Sequence, residues 1–172
     1  MSLGMLKHSL KDQLILHEGL RLRVYTCTAN KKTIGVGRNL EDVGLSPEEQ
    51  ERILGRRGLS RSQVINILEE RGITKDEALY MLDNDIARCI KDVEQFPWFK
   101  CLDPVRQKVI VDMCFNLGLA GLKGFRKMIA ALAAGDYKQA AAEMVNSKWY
   151  HQVGNRGKRL VRMMESGEDY TD

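Results

Sequence analysis

Leu6, Leu10 and Leu14 fall at every fourth position, and Glu18 continues the stripe up to Gly19. That period predicts a helix over residues 9–18, stopped by the glycine. Glu18 then points to the interior side of the helix at its C-terminal end. There the helix dipole disfavours a carboxylate, a setting that suits a proton donor. Past Gly19 the period falls to two. Leu22 and Val24 alternate with charged or polar residues; after a polar turn at Ala29-Asn30-Lys31, Ile34 and Val36 alternate with Thr33, Gly35 and Gly37. This is the pattern of a β-hairpin. Along its strands Cys27 shares a face with Tyr25, and Thr33 shares one with Gly35 and Gly37, whose missing side chains would let something bulky lie against the backbone.

From Gly44 the chain repeats itself every 14 residues: GLSPEEQERIL from Gly44, GLSRSQVINIL from Gly58 and GITKDEALYML from Gly72. Each unit has a glycine, a branched apolar residue, then Ser or Thr with Glu or Gln three positions on. The last pair is a capping box, so each unit starts a helix and its glycine ends the helix before it. The third helix is expected to run from Lys75 to Val93 as a connector. The repeat reads as a local elaboration that could lose the unit Gly44–Arg57 without losing the fold. Beyond Pro97 the chain is helical: Asp103-Pro104 supplies an N-cap with proline at the first helical position. VRQKVIVDMCF is apolar on most faces, which predicts a central buried helix. Gly118, Gly121 and Gly124 punctuate the next turns, and Gly135-Asp136 separates two further helices.

Composition adds bounds. The 172 residues, 44% hydrophobic and 29% charged, describe one soluble globular domain. No apolar run approaches the roughly 18 residues that span a bilayer, and no signal-peptide core opens the chain. Met1–Gly4, ahead of Met5, are set aside from the fold. The four cysteines form no CxxC pair and the three histidines lie apart, so no metal site is expected. The thiols are read as reduced and cytosolic, with Cys89, Cys101 and Cys114 as small core residues. Charge is uneven: residues 1–40 carry a net +5, residues 41–122 a net −4 and residues 123–172 a net +3. Basic ends that met in the fold would form a positive face suited to an anionic polymer. The stretch LSRSQVINILEERGITKDEALYML has the outline of a helix-turn-helix, but residues 41–72 carry five basic against seven acidic residues, the wrong balance for a phosphate-facing module.

Six stretches then fall into a recognisable order: EGLRLRVY at 18–25, TIGVG at 33–37, ITKDEA at 73–78, DPVRQ at 103–107, GFRK at 124–127 and SKWYHQVGNRGKR at 147–159. With them the chain resembles the T4-like phage lysozymes, the muramidase endolysins of glycoside hydrolase family 24. The family pattern is Glu, eight residues, Asp or Cys, five residues, Thr; Glu18, Cys27 and Thr33 meet it without a gap. Cleaving a glycosidic bond takes an acid for the leaving oxygen and a second group that guides water or stabilises the sugar cation. The resemblance implies Glu18 as the acid and Cys27, where Asp is more familiar, as the water-guiding group with Thr33. A thiol of pKa near ~8.5 is only about 3% ionised at pH 7, a poorer base than a carboxylate. Covalent attack by Cys27 on the sugar stays open beside that role. The same resemblance implies Arg156 as the cation supporting Glu18, Phe115 as an aromatic lining the sugar cleft and Asn116 as an amide contact. Gly35 and Gly37 are further substrate-contact candidates, while Trp149 and Tyr150 read as core anchors. Arg38 departs from the pattern, standing where a histidine often follows the glycines, and the triple repeat lengthens the small lobe.

The expected architecture is a mainly α, α+β lysozyme-like fold. A small lobe (about 17–75) holds the β-hairpin and short helices. A connecting helix (about 75–94) leads to a helical lobe (about 96–165) that carries the N-terminal helix, with the cleft between the lobes. The expected activity is hydrolysis of the β-1,4 bond between N-acetylmuramic acid and N-acetylglucosamine in peptidoglycan. The enzyme would be a monomer acting on glycan strands, with no metal, no cofactor, no nucleic acid and no membrane insertion. It would wait in the host cytoplasm until a holin-type protein permeabilises the membrane. The alternatives are a peptidoglycan-binding pseudoenzyme, with Cys27 marking lost chemistry, and a nucleic-acid-binding helical protein.

Overall fold

The computed structural model describes residues 6–171; Met1–Gly4, set aside above, lie outside them. The described residues form two compact units, Gln13–Asp85, and residues 6–12 together with 86–171. No helix among them is long and apolar enough to cross a membrane.

Helix α1 (Leu10–Glu18) begins where the Ser9 hydroxyl accepts the Asp12 N–H, and ends at Gly19, whose φ of 78° is the left-handed stop expected of it. Leu14 is fully buried; Leu6 precedes the helix and is exposed. Strands β1 (Arg21–Thr26), β2 (Lys32–Gly35) and β3 (Arg38–Asn39) form an antiparallel sheet in that order. The third strand, two residues long, carries too little alternation to be read from the sequence. Asn30 turns the first hairpin at φ 61°, a conformation asparagine tolerates. Between Arg21 and Tyr25 the ladder is irregular. Leu22 is there exposed rather than in the core, and its carbonyl accepts the Ile73 N–H at 2.9 Å.

The repeat builds helices α2 (Pro47–Leu54), α3 (Arg61–Arg71) and α4 (Lys75–Val93). All three start with reciprocal capping boxes, Ser46 with Glu49, Ser60 with Gln63 and Thr74 with Glu77. Gly72 ends α3 as expected, but α2 stops at Gly55, three residues short of the repeat glycine Gly58. The repeat is not an elaboration. Leu45, Ile53, Val64, Leu68, Ile73, Ala78 and Met81 pack with Ile34 and Leu40 into one core, so the units supply most of the apolar surface the sheet can bury. Gln50 joins the first unit to the second through both amide atoms, accepting the Leu59 N–H and donating to the Leu45 and Leu59 carbonyls.

A buried ion cluster ties these elements together. Arg38 on β3 is 4% exposed, and its guanidinium donates to both Glu49 oxygens (2.8 and 2.9 Å), both Asp85 oxygens (2.9 and 3.1 Å) and the carbonyls of Gly44 and Met81. Glu49 also accepts from Asn84 and from the Ser46 N–H of its own capping box. Burial would push the Glu49 carboxyl up, but the Arg38 guanidinium beside it outweighs this and holds it below the usual range.

The other unit is helical. A 3-10 turn at Phe99–Cys101 leads into α5 (Pro104–Lys123), which Gly118 breaks at φ 74°, ψ 166°. Then come α6 (Arg126–Ala133), α7 (Tyr137–Val145), α8 (Lys148–Val153) and α9 (Asn155–Ser166). The stretch from Val105 to Cys114 is almost wholly buried, as its pattern predicts, with Val109, Ile110 and Met113 fully so. Its Arg106 donates to the Met164 and Glu165 carbonyls and so caps the end of α9. The buried Lys108 donates to both Asp169 oxygens, and Asp169 also accepts the N–H groups of Lys7 and His8. The first described residues are thereby tied to the segment that follows α9.

Arg38→Met should lower the unfolding free energy by about 3–5 kcal/mol, because it strands two buried carboxylates; urea denaturation measures this. Deleting Gly44–Arg57 should abolish cooperative unfolding. Acid should act late. Burial raises the Glu49 and Asp169 carboxyls, but the cations beside them outweigh this and depress both, so their stabilisation is complete above the ordinary carboxylate range and is lost as pH falls through their lowered values. Stability should thus hold flat from neutral pH to roughly pH 5 and fall below it, with none of the neutral-range loss that a histidine of pKa about 6.5 at position 38 would bring.

Candidate active site

The Gln13–Asp85 unit brings Glu18, Cys27 and Thr33 into one neighbourhood. Tyr25 stands opposite Thr33 in the ladder, and residues directly opposite share a face of the sheet. The parity that puts Cys27 with Tyr25 therefore puts Thr33 there too. Glu18, half-buried at the end of α1, comes to the same place: its charge and that of Cys27 both raise the Tyr25 phenol, after burial, which raises it most, while Arg21, stacked 4.6 Å over the ring, pulls it down.

Cys27 sits at the mouth of the hairpin turn, its N–H bonded to the Lys31 carbonyl at 2.9 Å and its carbonyl accepting the Asn30 N–H at 2.9 Å. Burial pushes its thiol up. A hydrogen bond with the Thr33 side chain and backbone N–H bonds from Lys31, Ala29 and Cys27 itself outweigh that and bring it below its ordinary value. Thr33, 3% exposed, also donates its hydroxyl proton to the Lys31 carbonyl at 2.9 Å. Its single proton thus serves either that carbonyl or a Cys27 thiolate.

The two glycines differ from the expectation of open backbone. Gly35 is buried, its α-carbon facing Ile73 and Ala78, so core side chains fill the room a sugar would need. Gly37 has φ 68°, and a methyl group built on it would lie 2.7 Å from Oε1 of Glu18. What rests on that glycine is the carboxylate itself.

In the helical unit Arg156 on α9 is held by Asp112 on α5, which is fully buried and accepts its Nε–H at 2.9 Å. Asp112 is a residue that sequence reasoning missed; an acid inside the apolar stretch VRQKVIVDMCF was the signal. Phe115 is half-buried against the core, and the Asn116 side-chain oxygen accepts the indole N–H of Trp149 at 2.8 Å. Trp149 and Tyr150 do anchor the core, Trp149 at 4% exposure. Cys89 and Cys114 are core residues, whereas Cys101 is exposed because the 3-10 turn that carries it lies at the surface. Among the described residues no cluster of His, Cys, Asp or Glu is placed to hold a metal ion.

The family model for phage lysozymes matches residues 16–165, from just before Glu18 to the end of α9. The chain belongs to the phage lysozyme family. Among similar proteins, probable T4-type lysozyme 1 of Dictyostelium discoideum is 29% identical over 92% of this chain and 95% of its own length. Probable T4-type lysozyme 2 of the same organism is 26% identical over the same shares. The pre-baseplate central spike protein Gp5 of Enterobacteria phage T4 is 28% identical over 92% of this chain, which spans only 28% of that protein. Family membership gives the chain a lysozyme-type glycosidase activity.

The lowered Cys27 thiol has a direct readout. Its alkylation rate by iodoacetamide, followed by peptide mass, should rise with a pH midpoint below that of free cysteine, and Thr33→Val should move the midpoint up. A midpoint at the free-cysteine value in the wild type would mean that the hydrogen bonds do not act on the sulfur.

Proposed function

We propose that the chain hydrolyses the β-1,4 bond between N-acetylmuramic acid and N-acetylglucosamine in bacterial peptidoglycan, with Glu18 as general acid and Cys27 as the group that activates water. The observation that carries this reading is the environment of Cys27. An ordinary thiol is only a few per cent ionised at neutral pH, so standing where a carboxylate is usual it would be a weak base. Here the Thr33 hydroxyl and three backbone N–H groups stabilise the thiolate, which raises the ionised fraction at the pH where the enzyme works.

The steps follow from the parts. Glu18 gives its proton to the glycosidic oxygen as the bond to the sugar carbon breaks. The Cys27 thiolate accepts a proton from the water that attacks the same carbon. Thr33 orients the thiolate from an almost wholly buried position. Within the helical unit Arg156 is fixed by Asp112, and the Asn116 side-chain oxygen is taken up by Trp149, which leaves the Asn116 amide nitrogen for a sugar.

Reducing-end release from purified peptidoglycan tests the assignment. Glu18→Gln should lose about 10²-fold or more in rate with unchanged melting, the scale of a lost general acid; activity within a few-fold of wild type would take Glu18 out of the reaction. Cys27→Ala should lose most activity. Cys27→Asp should keep it and extend it to lower pH, because a carboxylate of pKa about 3.9 stays ionised where the thiolate has taken up its proton. A sugar trapped on Cys27 during turnover, seen by intact mass, would replace water activation with covalent attack.

A further inference from the structure

The Glu18 carboxylate needs a fixed seat if it is to meet a glycosidic oxygen, and the structure shows one. An alanine methyl at position 37 would stand 2.7 Å from Oε1, 3.0 Å from Cδ and 3.3 Å from Cγ of Glu18, closer than real contacts allow. The carboxylate therefore lies close against the bare α-carbon. Gly37 also holds φ 68°, where glycine is at ease. The next residue is Arg38, whose side chain is locked by Glu49 and Asp85, so the seat is one peptide bond from a rigid anchor.

We propose that Gly37 is a positioning residue: its bare α-carbon sets where the Glu18 carboxylate stands, and it has this role in place of a substrate contact. The inference rests on Glu18 being the acid. A methyl at 37 would meet the far end of the Glu18 side chain rather than backbone. The fold should then tolerate the change while the acid moves off its line, and a misplacement of about 1 Å costs on the order of 10²-fold in rate.

Gly55 supplies the control. It has φ 81° in the same unit, and nothing lies within 4 Å of a methyl built on it. Gly55→Ala carries the same backbone penalty without the push. Gly37→Ala should lower kcat on peptidoglycan about 10²-fold with KM nearly unchanged, while Gly55→Ala leaves both near wild type. A Gly37→Ala enzyme as active as Gly55→Ala would overturn the proposal.

A stability cycle reads the contact without activity. In a Glu18→Ala background, Gly37→Ala should lower the melting temperature no more than Gly55→Ala does, and in the wild-type background it should lower it further while the protein still folds. Equal losses in both backgrounds would mean that the methyl does not meet Glu18, and would also overturn the proposal. Failure of the acid assignment shows separately, as retained activity in Glu18→Gln.

Discussion

Arg38 enters the core of its unit with a full positive charge, and the surrounding chain is arranged around that cost. Removing a guanidinium from water is worth it only when its donors are met and its charge is opposed. Here five N–H groups meet six acceptors, four of them carboxylate oxygens. Those acceptors come from the loop before α2, from α2 itself and from α4, so one side chain joins β3 to two units of the repeat. The repeat is bound into the core for the same reason: Glu49 is at once the N3 residue of a capping box and half of the charge that Arg38 requires.

The rest of the acid-bearing unit is built outward from this point. β3 is only two residues long and gains little from its ladder, yet it is held because its first residue is Arg38. The preceding Gly37 is thereby fixed against the end of α1. Around Cys27 the tight hairpin turn does analogous work with backbone dipoles, gathering N–H groups about a sulfur and so lowering its thiol.

The helical unit obeys the same rule of paired burial. Lys108 and Asp112, four residues apart in an otherwise apolar stretch, are each matched by a partner distant in sequence, Asp169 and Arg156. The Asp169 carboxylate also accepts the backbone N–H groups of Lys7 and His8, which ties the residues ahead of α1 to those after α9. Motifs such as DPVRQ and GNRGKR are thus partly structural: Arg106 caps α9, and Gly157 packs closely on Tyr150 and Val153.

Much of this protein was written locally. The capping boxes, the stop at Gly19, the hairpin, the Lys75–Val93 helix and the buried run after Pro104 follow from periodicity and caps, which act over a few residues and so can be read in one pass along the chain. The spacing of Glu18, Cys27 and Thr33 was legible too, because strand pairing turns fixed spacing into fixed geometry. What only tertiary structure decided are matters of partner. Whether the repeat decorated a lobe or filled its core depended on which surfaces Ile53, Val64 and Leu68 met. That Gly35 is packed by Ile73 and Ala78, that Gly37 seats an acid, and that Arg38 and Asp112 are paired depended on residues up to 47 positions away. Burial and charge pairing act through space, so no local pattern records them.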